Sequence, residues 1–288
     1  MNNNSDRNHK PLSADLEKKY SQLQEILQGM GNVLVAFSGG VDSTLLLKTA
    51  KDVLGNNVFA VFASSEVHPD REKKEALKIA RTLNANLKII ESKEMQNPQF
   101  IKNPPERCFH CKKELFSQLK EIAAQKGIPF VIDGANFEDL NDFRPGRKAA
   151  DKLGIRSPLK EAGLIKNDIR ELLHYLGIPN WNKPSMACLA SRFPYHQPLI
   201  SEDLNKVAAA EKFLLSLGFT QFRVRHHSNT ARIEVLPEEI SRFTDKNLRE
   251  KITKKLNDLG YTYVTLDLTG YRTGSLNESL PNEIKNTG

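Results

Sequence analysis

The chain has 288 residues, 39% hydrophobic and 27% charged, with a formal net charge of +7. That length holds one large domain or two smaller ones, and that balance supports a packed core rather than wholesale disorder. No apolar run approaches the ~20 residues of a membrane-spanning helix, and the basic excess fits phosphate-bearing partners without choosing between small nucleotides, nucleic acid and a plain solvated surface.

Met1 to Ser13 is polar and rich in Asn. It lacks the apolar stretch and cleavage site of a signal peptide, so a flexible lead-in (residues 1–14) to a cytoplasmic protein is expected. Leu16 to Met30 has the apolar spacing of a helix, and Asn32 to Phe37 is a short run of buried-strand character. Leu45 to Val53 predicts a helix, Val58 to Ala63 a second strand, Arg71 to Leu83 a helix and Leu87 to Ile90 a third strand. Lys112 to Lys126 predicts another helix, and Phe130 to Asp133 a fourth strand. Strands alternating with helices in this way predict an α/β parallel sheet, whose ligands sit at the carboxyl ends of its strands. Asn167 to Leu176 reads as a helix capped by Asn167 or Asp168. Pro179, Pro184, Pro194 and Pro198 then mark a boundary, giving domains of 15–198 and 199–280 and a flexible tail of 281–288. The second domain reads as small α+β. It comprises a helix from Ser201, as N-cap, to Leu217, a hairpin of 222–226 and 231–235, a helix over 246–259 and a strand over 263–268. One face of its sheet is expected to carry helices and the other to be exposed.

Ser38-Gly39-Gly40-Val41-Asp42-Ser43-Thr44 follows the first strand and opens a helix. N–H groups at a helix start, backed by the helix dipole, attract phosphate, and glycines let the backbone approach closely. Asp42 suits ordering of the loop or a share in holding Mg²⁺. The Gly-Lys-Ser/Thr of a Walker loop is missing. The string instead resembles the pyrophosphate loop of the N-type ATP pyrophosphatases, Ser-Gly-Gly-x-Asp-Ser. That resemblance implies ATP cleavage between the α and β phosphates, with AMP placed on a substrate oxygen. It also places Ala63, Ser64 and Ser65 near adenine and ribose, and Asp133 and Gly134 where the protein closes over the nucleotide. Asp133-Gly134 alone also reads as a plain turn.

Cys108, Cys111 and Cys188 are the chain's cysteines. An odd number, with no secretion signal, argues against a disulfide scaffold. Each is expected in a loop beside Pro, Arg or Lys, where positive neighbours favour the thiolate. Three irons of a [4Fe–4S] cluster, a zinc site completed by His110, a redox Cys-x-x-Cys pair and unrelated thiols all stay open.

The loop and cysteines stand with further strings: Pro105 to Cys108, Asn141 to Gly146, Lys183 to Tyr195, Val224 to His227 and Asp267 to Asn277. Together they make the chain similar to the LarE family, ATP-dependent sulfur transferases of nickel-pincer nucleotide biosynthesis. The resemblance implies a pyridinium biscarboxylic acid mononucleotide as substrate, one carboxylate of which is adenylated and becomes a thiocarboxylate. It implies either a single turnover that consumes the sulfur of Cys188, or sulfide from a donor carried on a [4Fe–4S] cluster held by Cys108, Cys111 and Cys188. The presence of all three favours the cluster. Cys188, Asp42 and Arg192 are the candidate catalytic residues, and a homo-oligomer is expected. Arg223 and Arg225, two apart on a strand, point to one face and suit the substrate phosphate, a solvated sheet face being the bland alternative. Trp181, His226 and His227 read as structural. A transfer-RNA thiolase is the rival reading, and the lack of further cysteine pairs counts against it and against a nucleic-acid substrate.

Overall fold

The computed structural model describes residues 11–141, 145–184 and 187–281. The expected flexible ends therefore lie mostly outside the described residues, as do Asp142 to Arg144, Ser185 and Met186 of the strings above. Ala14, expected in the lead-in, is already helical, because the Ser13 hydroxyl caps the helix by accepting from the Leu16 N–H at 3.2 Å.

The elements run α1 (Ala14–Met30), β1 (Val33–Ala36), α2 (Val41–Leu54), β2 (Val58–Ser64), α3 (Asp70–Thr82), β3 (Leu87–Glu91), α4 (Pro98–Ile101), α5 (Arg107–Gln125) and β4 (Phe130–Ile132). Next come α6 (Pro145–Lys152), α7 (Pro158–Glu161) and α8 (Lys166–Tyr175), then α9 (Ser201–Ser216), β5 (Phe222–His227), β6 (Thr230–Val235), α10 (Lys246–Asp258) and β7 (Tyr263–Leu266). β1 to β4 form a parallel sheet in the order β3-β2-β1-β4, so the fold is the expected α/β class.

Alternation along the strands divides the core. Val33 and Val35 of β1 and Val58, Ala60 and Phe62 of β2 pack against α1, α2, α3 and α8. Leu34, Val61 and Val131 face the other way, onto Phe116, Leu119 and Ala123 of α5 and Ala150 of α6. A sheet covered on both faces needs near-continuous apolar strands, which is how β1 and β2 read in sequence.

The C-terminal sheet has the order β5-β6-β7, with β5 and β6 antiparallel and β6 and β7 parallel. Val224, Ile233 and Val235 pack with Leu214 of α9 and Ile252 and Leu256 of α10. The opposite face is not exposed as expected: Arg223, Arg225 and Glu234 are buried there. A separate cluster packs Val67, Phe100 of α4 and Leu189, Phe193 and Leu199 against Val207 of α9.

Three local expectations are corrected. Ile200, not Ser201, occupies the N-cap of α9, and Ile165, not Asn167 or Asp168, that of α8. Asp168 still serves that end, since its Oδ2 accepts from the Ile165 N–H at 3.1 Å. The helix expected from Lys112 begins at Arg107, which puts Cys108 and Cys111 in its first turns rather than in a loop.

Candidate active site

The glycine loop turns from β1 into α2. Gly39 has φ +73, in the left-handed region, and a Cβ there would lie 2.8 Å from the Ala76 Cα of α3. Both facts require glycine. Gly40 is the N-cap of α2, so Val41 to Thr44 already form its first turn. The loop's hydroxyls close on themselves. The Ser38 N–H donates to Ser43 Oγ at 3.2 Å, the two hydroxyl oxygens are 3.0 Å apart, and Ser43 Oγ donates to Gly40 O at 3.2 Å. This circuit leaves the orphan N–H groups of the helix start for an anion. Asn180 pins the loop from behind, donating to Thr44 Oγ1 at 3.0 Å and to Gly39 O at 3.4 Å.

Charged groups ring the loop. Asp42 is ion-paired to Lys166 and accepts from Asn136 Nδ2 at 3.4 Å. Lys183 is 2.7 Å from Glu72 and donates to Gly39 O at 3.4 Å. The β4 turn presses on the loop: a Cβ on Gly134 would meet the Ser43 N at 2.9 Å, while Asp133 accepts from Ser157 Oγ at 2.7 Å. At the end of β2, Ser65 donates to the buried Glu94 and accepts from the Val67 N–H at 3.1 Å.

A cavity of about 900 Å³ joins this loop to the rest of the candidate site. Ser38, Gly40, Val41 and Asp42 line one end, Ala63 and Ser65 a side, and Cys108, Cys111, Cys188, Arg223 and Arg225 the remainder. The three thiols, far apart in sequence, thus share one space. Cys108 and Cys188 also act on Cys111, whose thiol is pushed up to about 12 by burial first of all. This reverses the expectation that Lys112 would favour its thiolate: Lys112 does lower the value, but desolvation outweighs it. Among the described residues no three His, Cys, Asp or Glu side chains form a ready-made metal-ligand group.

The arginines divide by partner. Arg192 is buried and grips both oxygens of Glu211, at 2.8 and 3.0 Å. Its third nitrogen donates to Ala187 O at 2.8 Å and Cys188 O at 3.2 Å, so it holds the main chain of the Cys188 segment and stays outside the cavity lining. Arg225 grips Glu234 at 2.8 Å through both fork nitrogens and also donates to Ser191 O and Ser275 Oγ, each at 2.7 Å. Arg223 has neutral partners: Phe222 O at 2.6 Å and the Tyr271 hydroxyl at 3.4 Å. Burial, with Arg192 nearby, lowers its pKa.

Sequence reasoning missed several lining residues. Lys166 and Glu94 come from distant elements, and Tyr195 and Tyr271 lie in strings noted above with no role attached. His68 also lines the cavity, and burial beside Lys112 pushes its imidazole down to about 4, so it is neutral near pH 7. Arg107 stood inside a noted string with no role attached. Elsewhere, Trp181 packs edge-on to His174 at 4.7 Å, and His226 hydrogen-bonds the Tyr261 hydroxyl at 3.1 Å inside the C-terminal core.

Residues 15–111 match the family profile of NAD synthase. One component of the glutamine-hydrolysing GMP synthase of Archaeoglobus fulgidus is 28% identical over 165 residues, 52% of each chain. An uncharacterised protein of Synechocystis is 42% identical over 265 residues, 92% of this chain and 99% of its own. The pyridinium-3,5-bisthiocarboxylic acid mononucleotide synthase of Lactiplantibacillus plantarum is 43% identical over 268 residues, 93% of this chain and 96% of its own. With a pyrophosphate-type loop opening α2 and near full-length identity to that synthase, the chain belongs to the LarE family of ATP-dependent sulfur transferases.

Proposed function

We propose that this protein adenylates a carboxylate of a pyridinium biscarboxylic acid mononucleotide and exchanges a carboxylate oxygen for sulfur. The observation that carries the reading is the single cavity shared by the glycine loop, the three cysteines and the buried arginines. At about 900 Å³ it is at the upper end of ligand pockets, which run ~300–1,000 Å³.

In this reading the first N–H groups of α2 hold the outer phosphates of ATP, and Lys166, already at Asp42, adds positive charge beside them. Asp42 offers an oxygen to the accompanying Mg²⁺. Ala63 and Ser65 border the adenosine, and Gly134 keeps the loop in place by its close approach to Ser43. A carboxylate oxygen of the substrate attacks the α-phosphorus and pyrophosphate leaves. The acyl carbon now carries AMP, a far better leaving group than an oxide. A sulfur nucleophile takes that carbon, AMP departs, and a thiocarboxylate remains. Arg223, a buried cation without a carboxylate partner among the described residues, takes the substrate phosphate. Arg225 keeps its neighbouring strand in register with Glu234, and Arg192 fixes the Cys188 main chain.

Cys108, Cys111 and Cys188 have the donor chemistry of cluster ligands and line one cavity, so they would hold three irons of a [4Fe–4S] group. Such a group supplies a place for added sulfide and hence repeated turnover. In a second reading Cys188, which lines the same cavity, surrenders its own sulfur once. Anaerobic purification with iron and acid-labile sulfide measurement separates the two: iron is expected, and its absence after reconstitution leaves the single turnover.

The reaction itself is tested by incubating the protein with ATP, Mg²⁺, the biscarboxylate nucleotide and sulfide. AMP, pyrophosphate and thiocarboxylate are expected in equal amounts by chromatography and mass spectrometry. No substrate-dependent AMP would overturn the assignment.

A further inference from the structure

Arg107 is a buried cation with no acid beside it. It is 4% exposed, lines the cavity from the first turn of α5, and forms no ion pair with any described residue. Its Nη1 donates to the neutral Oδ1 of Asn103 at 3.0 Å, and its Nε is buried without a partner. The guanidinium stacks over the Tyr195 ring at 5.0 Å. Of the other cavity cations, Lys166 is paired with Asp42, Lys183 with Glu72, Arg225 with Glu234 and Arg272 with Glu278, Lys112 is exposed to solvent, and Arg223 alone is likewise buried without an acid among the described residues.

A desolvated guanidinium left uncompensated is costly, and proteins keep one where a ligand supplies the counter-charge. The surroundings hold it in place regardless. Asn103 is fully buried with φ +52, a left-handed conformation, and donates to Pro194 O at 2.8 Å. The same residue therefore fixes Arg107 and the segment that carries Tyr195. Cys108 follows Arg107 directly, and Tyr195 lines the cavity together with Cys108 and Cys188. The unspent charge thus sits on the cysteine side of the cavity, while Arg223 reaches the cavity from the second sheet.

We propose that Arg107 binds the carboxylate of the pyridinium ring that is not being activated, and so selects a ring carrying two carboxylates. This rests on the reaction proposed above. A substrate with a phosphate and two carboxylates needs a cation at each fixed end, and Arg223 and Arg107 are two buried arginines without an acid partner among the described residues. The spectator carboxylate suits Arg107 better than the reacting one, because a guanidinium fork drains electron density from the oxygen that must attack phosphorus.

The test compares binding of the biscarboxylate nucleotide and of nicotinic acid mononucleotide, its monocarboxylate counterpart, by calorimetry without ATP, so that no turnover occurs. The wild-type protein is expected to prefer the biscarboxylate by about tenfold or more, the worth of a charged hydrogen-bonded contact. Arg107→Met is expected to bind the two within about twofold of each other, and Arg107→Lys, which keeps charge without the fork, to fall between. A merely structural role would weaken both ligands alike and leave the ratio intact. If Arg107→Met does not fold, as judged by circular dichroism, Arg107→Lys carries the comparison. Unchanged preference in the folded variant overturns the assignment of Arg107 alone. A wild-type protein that binds neither nucleotide overturns the proposed reaction, and this inference with it.

Discussion

The two ends of the cavity are built on opposite plans. At the glycine loop, polar groups lie within a few residues of one another and satisfy each other, with Ser38, Gly40 and Ser43 closing a short circuit. At the far wall Arg225 pairs with the buried Glu234, Arg192 behind it pairs with the buried Glu211, each pair spanning separate elements, and Arg223 stands without a carboxylate among the described residues. The first plan makes a rigid anion cradle from local geometry. The second leaves a surplus of positive charge in a dry place, which suits a ligand carrying several negative groups.

That contrast can be broken most sharply at Cys188. Cys188→Ala is expected to abolish thiocarboxylate formation while leaving substrate-dependent release of pyrophosphate, because the cysteine stands at the far wall and the loop does not need it. Loss of both activities together would mean that the two ends do not divide the work. Next in size, Arg192→Met strips Glu211 of its partner and frees the Cys188 main chain. A stability loss of about 3–5 kcal/mol is expected in urea denaturation, as for breaking a buried pair.

At the loop, Gly39→Ala forces a Cβ against Ala76 in a left-handed conformation. It is expected to cost about 1–3 kcal/mol and to remove ATP-dependent pyrophosphate release. A folded variant with wild-type release would show that the loop tolerates more than its geometry suggests. Arg223→Met sharpens the distinction within the wall. Having no carboxylate to strand, it should raise the KM for the phosphorylated substrate about tenfold while changing stability little. Arg225→Met, which strands Glu234, should instead show its effect in stability.

The smallest effect concerns Cys111. In metal-free protein its thiol, held up to about 12 by burial, should react with iodoacetamide far more slowly at pH 8 than the exposed Cys108, as peptide mass spectrometry would show. The sign for stability follows from a folded value above the ordinary 9.0. The contribution is whole below pH 9.0 and is lost as pH rises toward about 12. A Cys111 that alkylates as fast as Cys108 would mean that this end of the cavity is open to water.

The loop was legible because it is contiguous: Ser38 to Thr44 states its own turn, its cradle and its helix start within one short string. Arg223 and Arg225 were legible as a pair on one strand face, but not the division between them. That division depends on Glu234, nine residues after Arg225 and on the neighbouring strand. Cys108 and Cys111 misled as loop residues because nothing in Pro105-Glu106-Arg107 announces that a helix has begun. His68 carried no signal, and Arg107 none beyond its place in the Pro105 to Cys108 string, since burial and missing partners are properties of packing.

The sequence by itself determined the α/β class, the succession of strands and helices along the chain, the glycine turn that opens α2 and the identity of the three thiols. Each of these follows from periodicity or from chemistry held in a few adjacent residues. Only the tertiary structure decided that the thiols share a cavity with the loop, which arginines have acid partners among the described residues, and that burial raises the Cys111 thiol above its ordinary value. Those outcomes turn on desolvation and on contacts between residues far apart in the chain, and energies of that kind exist only once the chain has packed.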